Sequence, residues 1–529
     1  MNLSEFQSLL LTAFSCLTLG TFLSCRFFSG ATPAGNRKIL FLFGSFVFML
    51  NRIGLTLSLT TSTSLVLFAA SLYTFKSSQH PASEKSLFGL LSLSAVILYL
   101  AFSLANFFTG KGIDASVIYH LHFGIAGAGF NEFLPLILLT SVFLVCVPLL
   151  LFRNSLPESI SPATNLPVFH RFLPLVLTFL ALFFNPAVSD LWHLRNPQTD
   201  TRAFYHYYHT PHMERVSQPM NLVYIYAESL ERTWFDETLF PGLINGLRDL
   251  ERKSTSFTNI RQAEGAGWTM AGMIASQCGL PYFFSSNLAP GLGRLLHENG
   301  YYLAFYSGDD SDFAGKSDFY RSQCFDRILG RQELRPLMEN PSHQYSWGLY
   351  DETLLELAYT GFERLSEEHP SFAQFIATMD THGSGNPGDK SLSYSDGSCS
   401  NLNALASADI LISRFVNRIR SSPYSNKTVI VVASDHLAQP FLNPSVKLLK
   451  QRERRNLFLI NEPASLQGRT VERPGTTLDI GPTLLPFIGF AGRIGLGRNL
   501  LARDYSTEET EFIYRNITLL RPDLDFFRF

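Results

Sequence analysis

Net charge is almost absent from this sequence. Its 42 Lys and Arg stand against 44 Asp and Glu, leaving −2, so global electrostatics give no support for nucleic-acid binding, and no nucleic acid is expected as a partner. Cysteine is scarce as well. Cys16, Cys25 and Cys146 lie in apolar runs, while Cys278, Cys324 and Cys399 fall in the polar remainder. The latter three admit at most one disulfide, and small buried apolar residues are the equal reading. No basic stretch precedes Phe6, and further apolar runs follow it, which argues against a cleavable signal peptide. What the chain does have is a first part of about 190 residues poor in charge and rich in Leu, Phe, Ser and Ala. After it, charges are interspersed throughout. With 529 residues and 47 Phe, two structural units are expected, one of them in lipid.

Apolar runs that can cross a bilayer need roughly 17–25 residues. Residues 6–25, 39–57, 59–75, 86–108, 133–152 and 172–187 are candidates, giving about six helices in a transmembrane domain over 1–190. Asn51 and Arg52 interrupt the second run. With the N-terminus outside, the inner loops hold Arg26, Arg37, Lys38, Lys76, Lys85, Arg153 and Arg171 and the outer loops little beyond Arg52 and Lys111. That asymmetry follows the positive-inside rule and places the rest of the chain outside the cytoplasm. In 110–130, Ile113, Val117, Leu121 and Ile125 recur four apart, which predicts an interfacial amphipathic segment with His120 and His122 as wetted surface groups. Residues 191–219, punctuated by Pro197, Pro211 and Pro219, read as a linker. His206, His209 and His212 occur at intervals of three there, but a linker without a core rarely holds a metal.

The remainder divides into a catalytic domain over 220–505 and a tail over 506–529. Short apolar runs in it each stop at a polar residue. The run 222–227 ends in Glu228, 303–306 leads to Gly308 and Asp309, 372–378 to Asp380, Thr381 and His382, and 429–433 to Ser434, Asp435 and His436. Such runs read as strands buried on both faces, and helical patterns over 291–299, 351–368 and 401–420 complete an α/β arrangement. Ligand sites in open α/β sheets lie beyond the carboxyl ends of the strands. Glu228, Asp309, His382, Asp435 and His436 are therefore expected to converge on one crevice, with oxygen and imidazole donors suited to Mn²⁺, Mg²⁺ or Zn²⁺. A nucleophile is available in Gly265-Ala266-Gly267-Trp268-Thr269. This glycine-containing turn leads into the small-residue segment 270–276, predicted helical, and puts Thr269 at a helix N-terminus that favours negative charge. Metal coordination is the ordinary way to stabilise a threonine alkoxide near neutral pH.

These residues carry a resemblance. Asn221-Leu222-Val223-Tyr224-Ile225-Tyr226-Ala227-Glu228-Ser229-Leu230-Glu231-Arg232-Thr233, Trp268-Thr269-Met270-Ala271-Gly272-Met273, Ser276-Gln277-Cys278-Gly279, Phe313-Ala314-Gly315-Lys316, Asp380-Thr381-His382, Ser434-Asp435-His436 and Arg455-Asn456-Leu457-Phe458 resemble the phosphoglycerol transferases of the osmoregulated periplasmic glucan pathway. So do Asp479-Ile480-Gly481-Pro482-Thr483 and Gly495-Leu496-Gly497-Arg498. More distantly the chain is similar to lipoteichoic acid synthase and to the sulfatase and alkaline phosphatase superfamily. The resemblance covers 221–502, and 109–130 is similar to the family's loop before a transmembrane span.

What the resemblance implies is an N-terminal multi-span helical membrane domain followed by an α/β alkaline phosphatase/sulfatase-like domain. It implies one divalent metal, manganese favoured, held by Glu228, Thr269, Asp435 and His436. Asp309, Lys316 and His382 match positions that hold the glycerol and phosphate of the substrate. The implied donor is phosphatidylglycerol and the implied acceptor an extracytoplasmic glycan, with Thr269 carrying the group as a covalent intermediate. The longer glucan-modifying members have a further C-terminal region and fewer spans, which loosens the acceptor more than the chemistry. A sulfatase would need Cys or Ser in a Cys/Ser-x-Pro-x-Arg setting, which Thr269-Met270-Ala271-Gly272-Met273 lacks. Phosphoethanolamine transfer to lipid A or glycan is the chemical alternative, and a silent lipid-binding membrane protein is the alternative of another class. The basic run Lys447, Lys450, Arg452, Arg454 and Arg455 reads as a solvated surface.

Overall fold

The computed structural model describes residues 58–76, 82–123, 168–282, 289–388, 392–439, 443, 445–463 and 467–522. The expected spans 6–25, 39–57 and 133–152, together with Cys16, Cys25, Cys146 and residues 124–130, lie outside them. The chain forms two compact units, Met1–Ile118 with Phe130–Pro197, and Tyr119–Gly129 with Gln198–Phe529.

The described part of the first unit is helical: α1 (Leu59–Lys76), α2 (Ala82–Thr109), the first residues of α3 (Ala115–Phe123), α4 (Val168–Phe183) and α5 (Pro186–Arg195). Leu65, Phe68, Leu72, Phe88, Val96 and Tyr99 form its core. A buried serine hydroxyl bonds within this core, Ser64 Oγ donating to Ala181 O at 2.5 Å, which satisfies a polar group away from water. Among the described residues one helix, Ser83–Thr109, is long and apolar enough to cross a membrane. The segment expected as a span over 172–187 falls in a bent pair, Phe172–Phe183 and Pro186–Arg195, at 51°, which is long and apolar enough to cross a membrane when taken together. The break falls where Asn185 turns out of helical geometry and caps the next helix, with Pro186 removing a donor at its first turn. The apolar part of α1, Leu59–Leu72, falls short of a span.

The second unit is built on an eight-stranded sheet. Its strands in chain order are β1 (His209–Arg215), β2 (Asn221–Ala227), β3 (Thr255–Phe257), β4 (Ile260–Arg261), β5 (Tyr302–Ser307), β6 (Arg327–Leu329), β7 (Phe372–Ala377), β8 (Thr428–Ser434), β9 (Phe458–Asn461), β10 (Arg469–Val471), β11 (Gly475–Thr476) and β12 (Phe490–Gly495). The large sheet has the order β10-β3-β9-β8-β2-β7-β5-β6. All neighbours in it pair in parallel except β9, which runs against both β8 and β3. The central strands β2, β7 and β8 are buried along their whole length, as expected for a parallel sheet covered on both faces. Among the helices of this unit are α6 (Thr269–Cys278), α7 (Asp351–Glu368) and α8 (Ser400–Arg420). Leu354, Phe362, Leu405, Ile412 and Phe415 of α7 and α8 pack with Val223, Ile225 and Ile376 of the sheet.

Two segments hold more structure than their sequence reading. The stretch read as a linker over 191–219 holds the second half of α5, a short helix Thr201–Tyr207 and the strand β1. That strand pairs antiparallel with β12, and hydrogen bonding to a partner nearly 300 residues away leaves no local signature. His206, His209 and His212 form no metal-ligating group among the described residues; burial and the neighbouring Arg498 and Arg493 push His209 down to about 4. The tail over 506–529 contains a helix, Thr507–Asn516, capped by Ser506 and tied to Arg261 through Glu511 at 2.5 Å. Finally, residues 119–123, read as part of an interfacial segment, belong to the same compact unit as the sheet. Cys278, Cys324 and Cys399 are free thiols.

Candidate active site

Parallel pairing of β2 and β8 sets Ala227 beside Ser434, so the residues that follow, Glu228 and Asp435, leave the sheet together. Ser229 turns the chain with a left-handed φ of 55°, and its amide donates to Asp435 Oδ1 at 3.0 Å. The His436 amide donates to the same oxygen at 2.8 Å. Ser229 Oγ donates to Glu228 Oε1 at 2.8 Å, and Thr378 Oγ1 accepts the Glu228 amide at 3.1 Å. These bonds fix both carboxylates from behind.

Imidazole completes the cluster. His436 Nε2 stands 3.4 Å from Glu228 Oε1 and 3.4 Å from Asp435 Oδ2, while Nδ1 faces Leu437 O at 2.9 Å. With Nδ1–H donating to that carbonyl, the Nε2 lone pair points at the carboxylates. All three residues are buried, and their candidate ligand atoms lie within 4.8 Å of one another. Asp435 Oδ2 is buried with no hydrogen-bond partner. Burial first, and the Glu228 charge second, push Asp435 up to about 7. For His436, burial alone would lower the pKa, but the Asp435 and Glu228 charges outweigh it and hold it above the ordinary value. Two buried carboxylates facing an imidazole lone pair, one oxygen orphaned, fit a divalent cation with oxygen and nitrogen ligands.

Thr269 opens α6, and its hydroxyl lies 3.4 Å from Glu228 Oε2. The helix seats tightly against the strap that carries Asp435 and His436: a Cβ on Gly272 would overlap the Asp435 carbonyl. Gly279 ends α6 in the left-handed conformation, its amide returning to Ala275 O. The Thr269 hydroxyl thus adjoins Glu228, one member of the cluster that Glu228 forms with Asp435 and His436.

Asp309, Lys316 and His382 follow the neighbouring strands at the same end of the sheet. The register Ser307 to Ala377 and Ala377 to Tyr226 aligns β5, β7 and β2. Asp309 and Lys316 form a buried ion pair, with Lys316 Nζ 4.7 Å from the Phe313 ring centroid. The His382 ring lies tilted against Trp347 with centroids 4.6 Å apart, and Trp347 meets Phe313 edge-on at 5.8 Å. Thr381 Oγ1 donates to Glu228 O at 2.5 Å, joining the His382 loop to the carboxylate cluster.

Several positioning residues were not read from the sequence. Gln262 Oε1 accepts the Leu437 amide at 2.6 Å, and Gln439 donates to Gly267 O at 2.8 Å. Together they fasten the turn before Thr269 to the strap after His436. Glu231, fully buried, pairs with Arg454 and accepts the Ala438 amide at 3.1 Å. Of the basic run, Lys447, Lys450 and Arg452 are exposed as read, Arg452 pairing with Asp236 at 2.7 Å, whereas Arg454 is the brace of buried Glu231. Asp351 takes the amides of Met379 and Asp380, and Asp380 takes that of Asp351. A glutamine or tryptophan in a loop has no periodic signal that would single it out.

A strand-end carboxylate and imidazole cluster beside a helix-borne hydroxyl is an arrangement suited to a divalent cation in an α/β fold. Residues 220–490 match the family described as Sulfatase, and the chain belongs to that family. Residues 57–201 match the domain described as Phosphoglycerol transferase I, N-terminal domain. Over 490 residues the chain is 33% identical to Phosphoglycerol transferase I of Salmonella arizonae, covering 87% of this chain and 62% of that protein. It is 32% identical over 498 residues to Phosphoglycerol transferase I of Escherichia fergusonii, with the same shares. The chain thus spans about 62% of the length of these curated relatives. A solved protein of the alkaline phosphatase superfamily from Vibrio parahaemolyticus is 24% identical, covering 57% of this chain and 74% of that one, with a TM-score of 0.49.

Proposed function

We propose that this chain is a membrane-anchored transferase that moves phosphoglycerol from phosphatidylglycerol to a glycan outside the cytoplasm. The observation that carries the chemistry is Thr269, whose hydroxyl at the start of α6 lies 3.4 Å from Glu228 Oε2, beside Asp435 and His436. The choice of phosphoglycerol is supported by the relatives' names, and anchoring by the apolar helix Ser83–Thr109 with the loop-charge asymmetry.

Glu228, Asp435 and His436, joined by Thr269, would hold one divalent ion, manganese favoured, with magnesium and zinc also suited to the ligand set. When bound, that ion supplies Lewis acidity that stabilises the threonine alkoxide. The chain's own residues do the rest. Thr269 Oγ attacks the donor phosphorus; the new O–P bond replaces the bond to diacylglycerol, whose oxygen leaves as an alcohol after accepting a proton. His382 passes that proton or orients a phosphate oxygen, and Lys316 offsets charge developing on the phosphoryl oxygens. An acceptor hydroxyl then attacks the phosphoglyceryl-threonine, and Thr269 regains its proton. Asp309 holds Lys316 in place by their buried ion pair.

The full chain, given separately phosphatidylglycerol and phosphatidylethanolamine labelled in the headgroup, tests the reading. Label should pass from phosphatidylglycerol to Thr269, and Thr269→Ala should abolish both labelling and transfer while leaving the fold and membrane insertion intact. Turnover by Thr269→Ala, or transfer only from phosphatidylethanolamine, overturns it.

A further inference from the structure

One side chain from far upstream reaches both reactive turns. Tyr119 lies about 150 residues before Thr269 in sequence, yet it falls in the compact unit that includes Gln198–Phe529 and is 1% exposed. Its hydroxyl donates to Ala314 O at 2.5 Å. Its ring meets Tyr282 edge-on at 4.9 Å and Trp268, the residue before Thr269, at 6.3 Å. Burial pushes the Tyr119 hydroxyl above its ordinary range, so the group stays a donor.

The Ala314 carbonyl is no ordinary partner. Ala314 and Gly315 are consecutive left-handed residues, with φ of 54° and 66°. Such a conformation is unfavourable for alanine and persists where surrounding contacts hold it. Phe123, one turn along from Tyr119, packs its ring on Gly315 so closely that a Cβ there would stand 2.6 Å from it. His120 faces Phe313 at 6.2 Å. All three contacts bear on the turn Phe313-Ala314-Gly315, which delivers Lys316 to the first position of the next helix and into its buried pair with Asp309. A buried tyrosine hydroxyl needs an acceptor, and here the acceptor is the strained residue itself.

We propose that Tyr119 is a positioning residue of the transfer site, clamping the Lys316 turn and the Trp268–Thr269 turn together, so that residues 119–123 are a working part of the catalytic unit. The roles of Thr269 and Lys316 in this inference rest on the function proposed above. The inference adds a residue from outside the 220–490 span of the sulfatase match and makes the competence of the site depend on a segment adjoining the apolar part of the chain.

The test uses the full chain in detergent with Tyr119→Phe, which keeps the ring and removes the hydroxyl. Amide hydrogen exchange across 313–317 should quicken by about tenfold or more as the turn loosens. Uptake of Mn²⁺ should match that of the parent protein, showing an intact fold. Transfer from labelled phosphatidylglycerol should fall by about tenfold, and that loss should shrink to under about twofold when Tyr119→Phe is placed on Lys316→Ala, because both act through one group. Exchange equal to the parent's at 313–317, or losses that simply multiply in the double variant, overturns the proposal. If the parent transfers from neither lipid, the proposed function fails, and the exchange measurement alone still decides the clamp.

Discussion

Gly272 and Asp435 touch backbone to backbone: the third residue after Thr269 on α6 abuts the carbonyl of a residue of the carboxylate cluster, with no room for a Cβ. Both are buried. The distance between the threonine hydroxyl and the carboxylate cluster is thus set by the absence of one methyl group. Gly272→Ala is expected to push α6 off the strap at a cost of about 1–3 kcal/mol in stability. Transfer should fall by about a hundredfold or more, since displacement near 1 Å at a reacting atom has that scale. Thermal unfolding and labelled-lipid turnover on the same preparation check both parts.

Removing the metal should destabilise the catalytic unit. Glu228, Asp435 and His436 are buried with like charges facing one another, so a cation that binds only the folded chain adds stability by mass action. The gain is about 2.7 kcal/mol at a hundred times the dissociation constant. Titrating Mn²⁺ into chelator-treated protein should raise its melting temperature, and Asp435→Ala should abolish the rise. A rise retained by Asp435→Ala would place the ion elsewhere.

Arg454→Ala should be far more damaging than substitution of its neighbours Lys447 or Lys450. Glu231 is fully buried and bonds both Arg454 and the Ala438 amide. Leaving that carboxylate unpaired costs about 3–5 kcal/mol. The strap carrying His436 would loosen with it. Urea denaturation of Arg454→Ala beside Lys450→Ala distinguishes a buried brace from a wetted surface.

The Asp351 and Asp380 pair predicts a pH dependence. Burial pushes Asp351 up to about 6, and burial, then the Asp351 charge, pushes Asp380 well above its ordinary value. Between pH about 4 and 6 the folded chain therefore holds protons that the unfolded chain releases, so stability falls as pH rises through this window. The Asp351 contribution alone amounts to about 3 kcal/mol, and it is complete above pH about 6. Asp479, pushed up to about 6 by burial, acts in the same direction. Asp351→Asn should be less stable than the parent at pH 5, because it loses one amide bond, and its slope between pH 4 and 7 should be flatter. Denaturant midpoints across that range measure the slope.

The central strands and the site at their ends were legible because burial on both faces writes unbroken apolar runs, and each run stops where a polar residue must leave the sheet. Glu228, Asp435 and His436 come together in space for that reason. The short strands were not legible: β4 and β11 have two residues each, too few to show a period. The bracing residues escaped for a different cause. Arg454 looks like any surface arginine until Glu231 is seen behind it, and Gln262 acts through a single amide bond. Proline in 191–219 suggested an unstructured connector, yet Pro211 sits within β1, a strand with one partner, β12.

That strand has a consequence for how the chain matures. β1, near the start of the second unit, is hydrogen-bonded to β12, and β3 finds its partners only in β9 and β10. While the polypeptide is being made from its N-terminus, residues 209–215 and 255–257 must wait, unpaired, for more than 200 residues to follow. Such long loop closures slow folding and expose bare strand edges to other chains. A ribosome stalled before residue 490 would therefore leave β1 unpaired and open to aggregation, even with the central strands already made.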